Sequence, residues 1–306
     1  MSDAAQNCNT SPPTGTPVIV FGAGGFVGRA LMEQWGADGG MPCLGVSRQD
    51  ADLRKPSAVR ALGDRLPRGA AWIIAAAVSP DRGMDPRECG EANTAMAQNL
   101  AELIPLLSPR HVTFLSSIDV YGRAGLSLPL SESSPLRPET PYAVSKTASE
   151  ALLANACGGA GIPLAVLRLP GVYGPGDTHH GPVASFLRAV LGNRPVTIHG
   201  DGEQRRDLLY VMDIPRIARA LAAGRIAGTF NGVTGKSASL NEMLAMLAAL
   251  CGRPLEIVYK RDFSQIDLVF APSLLHQAVP ALSLTPLETG LGETYHHMAQ
   301  KREGVI

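Results

Sequence analysis

The sequence predicts an α/β fold, a doubly wound parallel sheet with a smaller mixed α/β substrate-binding part. Three observations predict it. Short apolar, β-branched runs alternate with alanine-rich helical stretches. A glycine run, Gly22-Ala23-Gly24-Gly25-Phe26-Val27-Gly28, stands between the first strand-like run and the first helix-like one. Tyr142 and Lys146 lie four residues apart in a helical stretch, so both side chains project from one face.

Composition narrows the function. Lys plus Arg and Asp plus Glu number 27 each, so the net charge is zero. That argues against nucleic acid or an acidic membrane surface as the main partner. No apolar run reaches the length of a membrane span. Residues 1–16 are rich in Ser, Thr, Asn, Pro and Gly, lack a basic segment followed by an apolar core, and are expected to form a disordered tail. Cys8, Cys43, Cys89, Cys157 and Cys251 are scattered with no C-x-x-C, which suits reduced thiols in a cytoplasmic protein.

Residues 17–21 read as a buried strand and residues 29–35 as the helix after the glycine loop. Gly22 permits the tight turn, Gly25 the approach of backbone N–H groups to a pyrophosphate, and Gly28 close packing of helix on sheet. Gly22, Gly25, Phe26, Val27 and Gly28 are therefore candidate cofactor contacts. Residues 42–46 form the second strand and end at Ser47-Arg48, where an adenosine ribose would lie. A carboxylate there suits a ribose 2′-hydroxyl and an arginine a 2′-phosphate. Arg48 and Ser47 predict that NADP is accepted at least as well as NAD. Asp50, if it folds back, predicts the reverse.

Residues 71–78 read as a strand buried on both faces, residues 93–107 as a helix and residues 111–115 as a further strand. Ser116 and Ser117 follow that strand, at the edge where parallel sheets bind ligands. A Pro- and Ser-rich loop over residues 123–139 is long enough to act as a lid. Thr140 then N-caps a helix with Pro141 at its first position, and Gly158-Gly159 is expected to stop it. Within this helix Lys146 would lower the pKa of Tyr142 and fit it for proton exchange with a substrate oxygen. Alone, the pair reads first as a surface Tyr and Lys that merely share a face, and the other motifs reverse that reading.

Residues 163–169 form another strand, followed by a helix over residues 181–190 and a strand over 196–199. An alanine-rich helix follows Asp213, and further helices are expected at 240–250 and 285–291. His179-His180 and His296-His297 are adjacent pairs, which point apart on any regular element, so no metal site is expected. The expected division is residues 17–170 for a dinucleotide and 171–306 mainly for substrate, with parts of 205–235 returning to the first domain.

The ordered set resembles the extended short-chain dehydrogenase/reductase superfamily, in its NAD-dependent epimerase/dehydratase branch, over roughly residues 17–250. The resemblance implies a Rossmann domain, NAD or NADP as cofactor, and a nucleotide sugar as substrate, with a homodimer as a further candidate assembly. It implies that Asp52 and Leu53 contact adenine and that Ala75, Ala76 and Ala77 flank the cofactor. Pro170 and Val172, with Arg168, match the segment lining the nicotinamide. Ser117 matches the residue that holds the reacting oxygen, Tyr142 and Lys146 the catalytic pair, and Lys146 also a ribose contact. Asp119, Tyr173 and Arg206 fall on the substrate side, with Arg206 matching the residue for substrate phosphates.

Two positions depart from the pattern. Gly171 stands where many nucleotide-sugar members carry a substrate-binding Asn. Ser117-Ile118-Asp119 stands where sugar dehydratases carry Thr-Asp-Glu, so the acid pair that drives water loss is incomplete. The leading expectation is therefore a sugar epimerase. The alternatives are an NADPH-dependent reductase of a 4-keto nucleotide sugar and a non-catalytic dinucleotide sensor.

Overall fold

The computed structural model describes residues 17–37, 42–79, 83–178, 181–260, 266–271 and 274–304. The expected tail over 1–16 and the His179-His180 pair lie outside the described residues. In chain order the elements are β1 (Val18–Phe21), α1 (Phe26–Ala37), β2 (Cys43–Val46), α2 (Pro56–Gly63), β3 (Ala71–Ile74), α3 (Pro86–Leu107), β4 (His111–Ser117), α4 (Pro141–Ala160), β5 (Leu164–Leu169) and β6 (Gly171–Tyr173). They continue with α5 (Pro182–Leu191), β7 (Val196–His199), β8 (Arg205–Arg206), β9 (Leu208–Tyr210), α6 (Asp213–Ala223), β10 (Gly228–Asn231), β11 (Ala238–Ser239), α7 (Leu240–Cys251), β12 (Ile257–Lys260), α8 (Leu274–Ala278) and α9 (Leu287–Arg302).

Six strands form one parallel sheet in the order β10-β5-β4-β3-β1-β2. Beyond β1 the chain first adds β2 on one side and then β3 on the other. The β1/β3 boundary is thus the point where the winding reverses, and such sheets bind ligands outside the strand ends there. Alternation along β1 feeds both faces. Ile19 and Phe21 pack with Trp72, Leu100, Ile104 and Leu153 on the α3/α4 side. Val18 and Val20 pack with Leu31, Trp35, Ile217 and Leu221 on the α1/α6 side. A separate apolar core is built from α5, β7, α7 and α9, with Leu187, Ile198, Leu247 and Leu291 at its centre.

Several boundaries differ from the sequence expectation: β3 stops at Ile74 rather than at residue 78, and α9 runs from Leu287 to Arg302 rather than over 285–291. α1 starts at Phe26, inside the glycine run, because that run turns directly into the helix. α3 starts at Pro86, seven residues earlier than residue 93, because Asp85 caps it by accepting from the Arg87 amide at 2.8 Å. α4 runs through Gly158-Gly159 to Ala160 and stops at Gly161, whose φ is 66°. Buried Leu153 and Cys157 hold its C-terminal turns, and the left-handed residue, rather than the first glycine, ends the helix. Its start is as expected: the Ala143 amide donates to Thr140 Oγ1 at 3.1 Å, with Pro141 in the first turn.

Among the described residues, no helix is long and apolar enough to cross a membrane, and no group of His, Cys, Asp or Glu is arranged to hold a metal. Cys43, Cys89, Cys157 and Cys251 are free thiols.

Candidate active site

Two clefts lie at the carboxyl ends of the central strands, with volumes of about 670 and 560 Å³. Both are lined by Gly25, Ala75 and Ala77, so they adjoin at the winding reversal.

The smaller cleft is built by the β1 and β2 ends. Gly22 has φ +90°, and a Cβ there would lie 2.6 Å from the Ala76 backbone. A Cβ on Gly28 would lie 2.1 Å from the Gly22 carbonyl oxygen. Both positions therefore exclude any side chain, which keeps the loop tight and brings the α1 N-terminus to the cleft. This cradle fits the pyrophosphate of NAD or NADP.

Arg48, Asp52, Leu53, Ala76 and Val78 line the same cleft. Asp52 faces Arg54 in a two-pronged pair, Nε to Oδ1 at 2.8 Å and Nη2 to Oδ2 at 2.7 Å, which holds its carboxyl well below the usual range. Leu53 is buried, and its carbonyl accepts from Asn99 Nδ2 at 2.8 Å. Asp50 Oδ2 accepts from both the amide and the hydroxyl of Ser47, at 2.8 and 2.7 Å. The carboxylate thus does fold back at the end of β2. Both Ser47 donors, which the sequence offers to a 2′-phosphate, are engaged by it.

The larger cleft gathers Phe26, Val27, Gly28, Ser117, Asp119, Tyr142, Lys146, Pro170 and Val172. Ser117 is the last residue of β4, and its hydroxyl caps the 3-10 turn over Ile118–Tyr121. Ser117 Oγ accepts from the Asp119 amide at 3.1 Å and donates to Asp119 Oδ2 at 3.2 Å. Tyr142 and Lys146 come from the first turns of α4. Lys146 is nearly fully buried, and its Nζ donates to the Leu115 carbonyl at 2.8 Å and lies 5.7 Å from the centre of the Tyr142 ring. Burial pulls the ammonium down to about 8, with the Glu150 carboxylate acting the other way.

Three expected contacts line neither cleft. Tyr173 is 2 % exposed and sits in the second apolar core against Tyr210, 5.7 Å between ring centres. β6 alternates, so Val172 faces the cleft and Tyr173 the opposite side. Arg206 lies outside the residues lining either cleft. Its Nη1 donates to the carbonyls of Arg205 and Ile266, which ties β8 to the distant segment 266–271. Arg168 is buried below the cleft, forked onto Glu150 with Nε–Oε1 at 3.1 Å and Nη2–Oε2 at 2.7 Å. Ser116 and Tyr121 complete that network.

The structure also brings in residues that sequence reasoning passed over. Asn93 bonds both the amide and the carbonyl of Val78, at 2.7 and 3.0 Å, and reaches Ser145 Oγ at 3.3 Å. It fixes the wall after β3 against α4. Its signal in the sequence is an amide inside an otherwise apolar helical stretch. Ser79, Arg123, Glu139 and Thr140 also line the larger cleft.

A doubly wound sheet with a side-chain-free glycine cradle at its reversal point is the architecture of a dinucleotide-dependent α/β enzyme. The NAD dependent epimerase/dehydratase family matches residues 18–231, and the chain belongs to that family. It is 31% identical over 263 residues to a UDP-glucose 4-epimerase of Mycolicibacterium smegmatis, covering 77% of this chain and 83% of the relative. It is 28% identical over 251 residues to a GDP-6-deoxy-D-mannose reductase of Pseudomonas aeruginosa, covering 79% and 82%. The crystal structure of a Thermus thermophilus UDP-glucose 4-epimerase in complex with NAD superposes with a TM-score of 0.79 at 26% identity, covering 92% of this chain and 98% of the other. Family and relatives make the chain an NAD(P)-dependent enzyme.

Proposed function

We propose that this enzyme epimerises a sugar, carried as a nucleotide sugar, by oxidation and re-reduction at one carbon. The observation that carries the reading is the convergence of Ser117, Tyr142 and Lys146 on one cleft that adjoins the glycine cradle. The bound dinucleotide supplies hydride acceptance and return. The chain's own residues handle the proton and the oxygen. Tyr142 takes the proton of the sugar hydroxyl and gives it back. Ser117 holds the reacting oxygen by a hydrogen bond. Lys146 favours the deprotonated phenol by its charge and donates to the cofactor ribose. Residues 171–306 contribute mainly to the substrate side, with α6 and β10 returning to the dinucleotide domain, and the enzyme works in the cytoplasm.

The incomplete acid pair at Ile118-Asp119 disfavours dehydration. The similarity to the Pseudomonas aeruginosa reductase keeps one second reading, net NADPH-dependent reduction of a 4-keto nucleotide sugar. The test is incubation of the freshly purified enzyme with UDP-glucose and no added cofactor, followed by NMR. Formation of UDP-galactose supports epimerisation. Failure to epimerise UDP-glucose, with stoichiometric NADPH consumption on a 4-keto nucleotide sugar, supports the reductase.

A further inference from the structure

We infer that Asp119 reads a hydrogen-bond donor on the carbon next to the reacting one, so the substrate carries a free hydroxyl or amine at that position. The inference rests on the proposed roles of Ser117 and Tyr142 and names what their substrate presents beside the reacting oxygen.

Asp119 is the second residue of the 3-10 turn that begins after Ser117, and it lines the same cleft as Tyr142. Its side chain is 36% exposed, so solvent and ligand reach it. Its two oxygens are used differently. Oδ1 accepts from Arg123 Nη2 at 2.9 Å, a bond that orients the carboxylate and occupies that oxygen. Among the described residues, Oδ2 accepts only the Ser117 hydroxyl, at 3.2 Å.

That last bond conflicts with the work asked of Ser117. A hydroxyl carries one proton. When Ser117 turns that proton toward the substrate oxygen, Asp119 Oδ2 loses its donor just as the ligand displaces solvent from the cleft. An acceptor left without a donor on desolvation is costly, more so when it is charged. The substrate itself is placed to supply a replacement. A hydroxyl on the adjacent sugar carbon stands roughly one hydrogen-bond length from the reacting oxygen, the same order as the separation of Oδ2 from Ser117 Oγ. One exchange then serves both groups: Ser117 gives its proton to the reacting oxygen, and the neighbouring hydroxyl gives its proton to Asp119. A substrate with hydrogen, carbonyl or carboxylate at that carbon leaves Oδ2 bare or repelled.

The experiment uses cofactor-loaded full-length enzyme and titration calorimetry with UDP-glucose and UDP-3-deoxyglucose, whose missing hydroxyl neighbours C4. Wild type is expected to bind UDP-glucose about 10- to 100-fold more tightly than the deoxy analogue, the range for a hydrogen bond to a charged group. Asp119→Ala is expected to bind both alike, and Asp119→Asn, which keeps an acceptor oxygen, to retain part of the preference. Unchanged cofactor affinity shows that each variant is folded. Undiminished discrimination in Asp119→Ala, or none in wild type, overturns the inference and leaves the proposed function standing. Where wild type does not bind UDP-sugars, the GDP- and dTDP-linked pair is titrated instead, and absence of binding of every one of these nucleotide sugars overturns both.

Discussion

The Asp50 carboxylate is clamped onto Ser47, with one oxygen 2.8 Å from the Ser47 amide nitrogen and 2.7 Å from its hydroxyl. Those two bonds also hold the Asp50 carboxyl below its ordinary pKa. The pair stands where β2 ends, beside Arg48 and the smaller cleft. A fixed carboxylate suits ribose hydroxyls and repels a 2′-phosphate, while Arg48 alone pulls the other way. The expected outcome is tighter binding of NAD than of NADP, reversing the preference that Ser47 and Arg48 suggest by themselves. Asp50→Ala is expected to raise NADP affinity relative to NAD by roughly 10-fold, the scale of one charge-assisted contact. Dissociation constants for both cofactors measure it. Equal affinities in wild type that Asp50→Ala leaves unchanged contradict it.

Lys146 makes stability depend on pH. Burial lowers its pKa in the folded protein to about 8, whereas an unfolded lysine titrates near about 10.4. Below about 8 both states hold the proton, and the folded state bears the full cost of the buried charge. Between the two values the unfolded state binds more protons, so stability rises with pH. The gain across that window is on the order of 3 kcal/mol by linkage. Denaturant midpoints of the cofactor-free protein, followed from about pH 7 to about pH 10, should climb through that window. Lys146→Met should flatten the climb. Identical pH profiles for the two proteins would contradict the assignment.

Arg168 and Glu150 form a buried pair below the cleft floor, with side chains 6% and 10% exposed. Removing one partner strands the other charge. Arg168→Met is expected to destabilise the fold by about 3–5 kcal/mol. The double variant Arg168→Met with Glu150→Gln should recover part of that loss, because no charge is left alone. Equilibrium unfolding of the three proteins measures it, and a loss below about 1 kcal/mol in the single variant would show that the pair is solvated.

What the sequence shows of this enzyme is what local chemistry encodes. The glycine cradle is legible because Gly22, Gly25 and Gly28 answer to steric limits within a few residues of one another. The Tyr142 helix is legible from Thr140 and Pro141 at its start. Tyr173, Arg206 and Arg168 line neither cleft, and the reason is not local. Which side of β6 faces the cleft follows from its pairing with β9, whose Tyr210 stands opposite Tyr173. Arg206 is taken up by a carbonyl 60 residues further on. The partner that buries Arg168 is a glutamate on a different element. Asn93 likewise acts through Val78 and Ser145, 15 and 52 residues away. Spacing along the chain carries none of these relationships. The fold back of Asp50 spans only three residues, yet it depends on loop dihedrals that residue identity leaves open.

In the proposed reaction Tyr142 moves the proton of the sugar hydroxyl. The turnover of UDP-glucose by Tyr142→Phe, with cofactor affinity measured in parallel, tests that role at its own atom. The substitution keeps the ring and removes only the ionisable hydroxyl. The expected result is a loss of turnover on the order of 10²–10⁴ with cofactor affinity held within a few-fold. Turnover by Tyr142→Phe within a few-fold of wild type would show that another group carries the proton.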